Sequence, residues 1–112
     1  MEIISRSEGN VTIVGLAGPL EFGDAARLAE RFRGFLRDGR RWFVFDLREL
    51  PYVDSTMIAE TVACLKRARE RSGDIKVVAL PNSKVSQILD ITSLYRVLDV
   101  FESVDEAVKG CG

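Results

Sequence analysis

No histidine occurs anywhere in the 112 residues. That removes the commonest general base, the commonest metal ligand and the side chain that ordinarily changes charge near neutral pH. A Ser-His-Asp triad, a Cys-His pair and any zinc site needing imidazole cannot be assembled from this chain alone. Only two cysteines are present, Cys64 within an apolar helical pattern and Cys111 next to the end. Two such positions make no disulfide framework and point to a reducing compartment. No apolar run approaches a membrane span, and Met1-Glu2-Ile3-Ile4-Ser5-Arg6 lacks the apolar core of a signal peptide. The expectation is a cytoplasmic protein with no membrane insertion. Neither sign of charge is in real excess: 16 Lys and Arg against 17 Asp and Glu leave −1. Such a balance gives no global attraction for nucleic acid or anionic lipid.

What is present is ordinary globular material. Apolar residues make up 46% and charged residues 29% of the chain, which excludes disorder and collagen-like repeats. The length predicts one domain over residues 1–112. Area scaling gives about 6,200 Å² exposed when folded, roughly a third of the unfolded surface, so a single core can hold the fold.

Apolar periodicity predicts the elements. Ile3 and Ile4, then Val11 to Leu16, flank Glu8-Gly9-Asn10, the signature of an antiparallel hairpin. Asp24 precedes a helix with Ala25, Leu28, Ala29, Phe32, Phe35 and Leu36 on one face, stopped near Gly39. Trp42 to Leu47 reads as a strand buried on both faces. Asp54 and Ser55 introduce a second helix, with Ile58, Val62, Leu65 and Ala68 as its buried face and Gly73 as its end. Ile75 to Leu80 is a strand that a crossover makes parallel to its predecessor. Asn82 or Ser83 opens a third helix, with Val85, Ile88, Leu89 and Thr92 on one side, and Val97 to Phe101 is a last strand. Ser103 and Glu106 fit a capping box for a closing helix striped by Val104, Ala107, Val108 and Cys111. The order is ββαβαβαβα, a small α/β domain with a mixed sheet.

Common cofactor fingerprints are missing: there is no Gly-x-Gly-x-x-Gly after a strand, no phosphate-cradling loop ending Gly-Lys-Ser/Thr, no Cys-x-x-Cys and no Gly-x-Ser-x-Gly. No cofactor and no metal are expected. The informative stretch is Asp46 to Ile58, which leads from the end of a buried strand into a helix. In open α/β sheets binding sites gather there. Asp54 and Ser55 also suit plain helix capping, since their oxygens accept from free N–H groups of the first turn, and Thr56 adds a second hydroxyl beside them. A capping serine can still be modified. Phosphate on Ser55 would add roughly −1.5 to −2 charges and three acceptor oxygens. The helix N-terminus would tolerate that charge and Asp54 would repel it, so the fold would survive while a partner docked over the turn would be displaced. A hydrolase built on Ser55 fails for want of a base. The chain is therefore read as a non-enzyme.

The basic clusters take a plain reading. Lys66, Arg67, Arg69 and Arg71 complement a helix C-terminus, and Arg27, Arg31, Arg33 and Arg37 form the wet face of the first helix. Without interleaved aromatics, no nucleic-acid site is expected. Trp42 is read as packing, and Tyr52 and Met57 as bulky residues partly exposed near the Ser55 turn.

The whole chain resembles the STAS domain of sulfate transporters and anti-sigma factor antagonists. Val11 to Glu21 is similar to the family strand ending in Gly-x-Leu-Asp, with Glu21 where Asp is usual. Phe45-Asp46-Leu47 and Val53-Asp54-Ser55-Thr56 resemble its Asp-Leu … Asp-Ser-Ser/Thr-Gly-Leu signature. Ile88 to Leu98 resembles a later Leu-x-Leu-Thr-Gly-Leu segment, and Ser103 to Ala107 its closing helix. The resemblance implies a bacterial regulatory module whose serine is phosphorylated by an anti-sigma factor with serine kinase activity, and which binds that partner when unphosphorylated. Carried over by position, Ser55 is the phospho-acceptor, Thr56 a secondary one, Asp54 the acidic neighbour and Glu21 a second acidic group. Tyr52, Asp54, Ser55, Thr56, Met57 and Glu21 are the expected partner contacts.

Two departures stand out. Met57-Ile58 replaces Gly-Leu, and Ser93 replaces a usual glycine. Met57 either obstructs a kinase or offers a contact to a different partner. That substitution speaks for an alternative within the same family: a constitutive, unphosphorylated subunit of a lipid-transporting ABC system or of a stressosome-like scaffold.

Overall fold

A computed structural model describes residues 1–111. Strands β1 (Glu2–Glu8) and β2 (Val11–Ala17) form the expected hairpin, paired from Glu2↔Ala17 to Glu8↔Val11. The positive φ of its two-residue turn falls on Gly9, at +58°, where a residue with a Cβ would be strained. Helix α1 (Asp24–Arg37), β3 (Trp42–Glu49), α2 (Ser55–Glu70), β4 (Asp74–Val78), α3 (Lys84–Ile91), β5 (Asp99–Phe101) and α4 (Val104–Lys109) follow. A 3-10 turn over Leu94–Arg96 shortens the last predicted strand at its start.

The sheet runs β1-β2-β3-β4-β5, antiparallel at the hairpin and parallel thereafter. Each crossover steps one strand in the same direction. Right-handed crossovers then put α1, α2 and α3 on one face. That face holds the larger core, where the Phe32 ring lies 4.6 Å from Phe43 and 5.8 Å from Phe45. Only α4 covers the other face, with Val104 and Ala107 on Val11, Ile13, Val44 and Val78. Ser103 caps α4 as expected, its hydroxyl accepting from the Glu106 N–H at 3.2 Å. The described residues expose 6133 Å², close to the scaling expectation.

Helix α2 departs from its predicted phase. Its buried side is Met57, Thr61, Cys64, Leu65 and Ala68. Ile58 and Val62 are half-buried, and Ile58 turns to the crevice toward α3 with Val85 and Leu89. Both sets satisfy helical spacing, and contact with the sheet selects between them. Thr61 is tolerated in the core because its hydroxyl donates to the Met57 carbonyl at 2.9 Å.

The end of α2 also differs in detail. The left-handed residue is Ser72, at φ +64°, not Gly73. Gly73 is needed for a close approach instead: a Cβ there would lie 2.0 Å from the Arg41 carbonyl oxygen.

No helix of the described residues is long and apolar enough to cross a membrane.

Candidate functional site

The site lies where the C-terminal ends of β2 and β3 release the chain. Pairing shifts register between Gly15 and Ala17, and the Gly18 N–H donates to the Glu49 carbonyl at 3.1 Å. The chain then leaves the sheet through Pro19 to Gly23, with Gly18 at φ +86° and Gly23 at φ +89°. From β3, the segment Leu50 to Val53 leads into α2. The two connections face each other across a cleft of about 400 Å³ walled by Glu21, Phe22, Ala25, Asp54, Thr56 and Met57.

Asp54 is the N-cap of α2, in extended conformation, and its carboxylate accepts the Met57 N–H at 2.8 Å. This is the capping role read from the sequence. Because Asp54 makes the cap, the Ser55 hydroxyl takes no part in it. Ser55 is the first residue of the helix and exposed, as is Thr56. Tyr52 is 42% exposed in the preceding loop. Glu21, Asp54, Thr56 and Met57 thus meet at one cleft, while Ser55 and Tyr52 stand exposed outside its walls.

One expectation is corrected. Met57 is not partly exposed: it is 3% accessible, inside the larger core with Leu47, Leu50 and Leu65. It occupies the third helical position, on the side turned to the sheet. Its side chain packs into the core and also borders the cleft beside Thr56.

The opposing loop is held by Asp24, the first residue of α1. Its buried carboxylate accepts the Glu21 N–H at 2.6 Å and a bond from Arg27 at 2.8 Å, and lies 3.3 Å from the Met1 nitrogen. The Glu21 bond is the chief influence holding this carboxyl below its ordinary value. Burial opposes it, and Arg27 and the Met1 ammonium add to it.

Sequence reasoning missed Phe22. Its side chain is fully exposed on the rim of the cleft. The available signal was an aromatic outside any period, between Glu21 and a glycine. A large apolar group presented to water beside an exposed hydroxyl pair suits a docking surface.

Cys64, the buried cysteine, is driven up to about 12 by burial and by the Glu60 carboxylate, whose oxygen is 3.5 Å from its sulfur. A thiol in that state is inert. Among the described residues no cluster of three or more Cys, Asp or Glu is placed to hold a metal ion.

The fold and this turn define a class, the STAS domain: the family's sequence pattern matches residues 2–107, and the chain belongs to that family. Within it, the chain is similar to a candidate anti-sigma factor antagonist of Thermotoga maritima, 28% identical over 78 residues, which span 70% of this chain and 68% of the relative. The crystal structure of a candidate antagonist from Thermotoga maritima superposes with a TM-score of 0.87 at 24% identity, covering 96% of this chain and 92% of the other. SpoIIAA of Bacillus in its phosphorylated form matches at a TM-score of 0.71 and 12% identity, over 96% and 97% of the two chains. At such identities the structural likeness establishes the shared fold.

Proposed function

We propose that this chain is a regulatory protein-binding module, an anti-sigma factor antagonist that docks an anti-sigma factor with serine kinase activity. Ser55 is the phospho-acceptor, and phosphate there releases the partner. The observation that carries this reading is the pairing of exposed hydroxyls at the start of α2 with the fully exposed Phe22 across the cleft.

Docking buries Phe22 and Tyr52 and sets the partner over Ser55. Phosphate on Ser55 brings roughly −1.5 to −2 charges beside Asp54 and close to Glu21. The free N–H groups of the first turn accommodate it, so the helix persists. The partner meets a hydrated anion where it had an uncharged hydroxyl, and the interface opens. This chain supplies no catalytic group; the kinase activity belongs to the partner.

The constitutive-subunit reading drew its support from Met57. Met57 packs into the core and only borders the cleft, which takes support away from that reading. Affinity capture from the native organism tests the proposal. Recovery of a kinase-type anti-sigma factor that transfers phosphate from ATP to the wild-type chain and not to Ser55→Ala supports it. Recovery of transporter or scaffold subunits, with no phosphate on Ser55, overturns it.

A further inference from the structure

The end of the molecule away from the Ser55 turn carries a concentration of arginine that this switch does not use. Arg33 and Arg37 near the end of α1, Arg40 and Arg41 before β3, and Arg67 and Arg71 at the end of α2 line three adjoining hollows. Their volumes are about 450, 410 and 280 Å³. The first two share Arg40 and Arg41, and the second and third share Leu36 and Arg71, so the surface is continuous. Two acids, Asp38 and Glu70, lie among the six arginines and Glu60 pairs with Arg67, which leaves this end at +3 on a chain whose total is −1. The rest of the molecule is correspondingly acidic.

Three of the six have structural work. Arg71 donates to the Leu36 carbonyl at 3.1 Å, Arg40 to the Ser7 and Thr12 hydroxyls, and Arg67 to Glu60 at 3.0 Å. Among the described residues, Arg33, Arg37 and Arg41 have neither an ion pair nor a side-chain hydrogen bond, and all three are exposed. Arg37 sits in the last turn of α1 and complements its dipole without a bond, while Arg33 and Arg41 have no such role, so all three guanidinium groups keep their donors open. A guanidinium is a planar fork shaped for carboxylate or phosphate oxygens.

We propose that this arginine-lined end is a docking surface for an acidic peptide segment of a partner protein, separate from the Ser55 turn. The other polyanions fit it less well. No large exposed apolar side chain lies in the hollows, so nothing there inserts into a lipid surface. Trp42, the one aromatic present, packs on the smaller core, so no flat face is offered to nucleic-acid bases. An extended peptide places same-face carboxylates about 7 Å apart, so its charges are spread out, as the arginines are over three adjoining hollows. Opposite charge across such a surface speeds encounter and sets register, and screens away in salt.

The test uses the full chain and a fluorescent polyglutamate peptide, with a single-stranded oligonucleotide and phosphatidylserine vesicles as competing probes. Peptide binding is expected, falling about tenfold between about 50 and about 300 mM NaCl. Arg37→Glu with Arg41→Glu should abolish it, and Arg37→Gln with Arg41→Gln should weaken it about tenfold. Circular dichroism checks that both variants fold. Ser55→Asp should bind the peptide as the wild type does, which keeps this surface distinguishable from the switch. No peptide binding, equal binding by the charge-reversed protein, or tighter binding of the oligonucleotide or the vesicles would overturn the proposal.

Discussion

The carboxylate of Asp24 accepts the Glu21 backbone N–H at 2.6 Å and so fixes the loop that faces the Ser55 turn. A residue three positions away in sequence thereby sets one rim of the cleft. Asp24→Ala removes a buried acceptor from the part-buried Glu21 donor and from Arg27, and should cost about 1–3 kcal/mol of stability in urea denaturation. The pH dependence has a definite sign. The folded carboxyl lies below its ordinary value of 3.8, so its stabilisation is complete above that value and is lost as pH falls through the lower folded one. Asp24→Asn should therefore flatten the acid limb of the stability curve. An acid limb as steep as in the wild type would show that other carboxyls govern it.

Gly73 and Arg41 are in backbone contact. A methyl at Gly73 would sit 2.0 Å from the Arg41 carbonyl oxygen, which also accepts the Asp74 N–H at 3.0 Å. Gly73→Ala should destabilise the protein by about 2 kcal/mol or more, because main chain on both sides must shift. A melting temperature equal to that of the wild type would contradict this.

Ser93, where the family usually has glycine, adopts φ +58° ahead of the 3-10 turn. The left-handed conformation costs a side-chain-bearing residue about 1 kcal/mol that glycine avoids. Ser93→Gly should raise stability by up to about 1 kcal/mol, less the entropy that glycine adds to the unfolded chain. Thermal unfolding measures it, and a fall of similar size would mean that the Ser93 side chain contributes something its backbone angle does not show.

Phe22 is the sharpest separation of binding from folding. Its ring touches water on all sides in the free protein, so Phe22→Ala should leave unfolding within about 0.5 kcal/mol of the wild type. The same change should weaken the anti-sigma partner by about 2 kcal/mol, the ordinary size of an aromatic anchor. Calorimetric titration beside a denaturation curve distinguishes the two, and unchanged affinity would remove Phe22 from the interface.

Much of this was legible in the sequence, for identifiable reasons. The hairpin, the three crossover helices and the Ser103 cap each rest on local chemistry that the chain states directly. The Asp54 cap follows from the same rules, whereas Ser55, read as a possible cap as well, stands as the first residue of the helix. The face of α2 was not legible, because Ile58 and Val62 compete with Met57, Thr61 and Cys64 at equal spacing, and only the sheet decides between them. Met57 consequently read as partly exposed when it is core. Phe22 was missed because a loop aromatic belongs to no period. The arginine end read as a complement to one helix C-terminus and the wet face of another helix, since its parts come from two separate stretches, 33–41 and 67–71, that only the fold unites.

The affinity of the captured anti-sigma factor for the wild type, Ser55→Ala and the protein phosphorylated on Ser55 tests the central claim most directly. The account predicts that Ser55→Ala binds as the wild type does and that phosphate weakens binding at least about tenfold, a change of about 1.4 kcal/mol. Equal affinity for all three would contradict it.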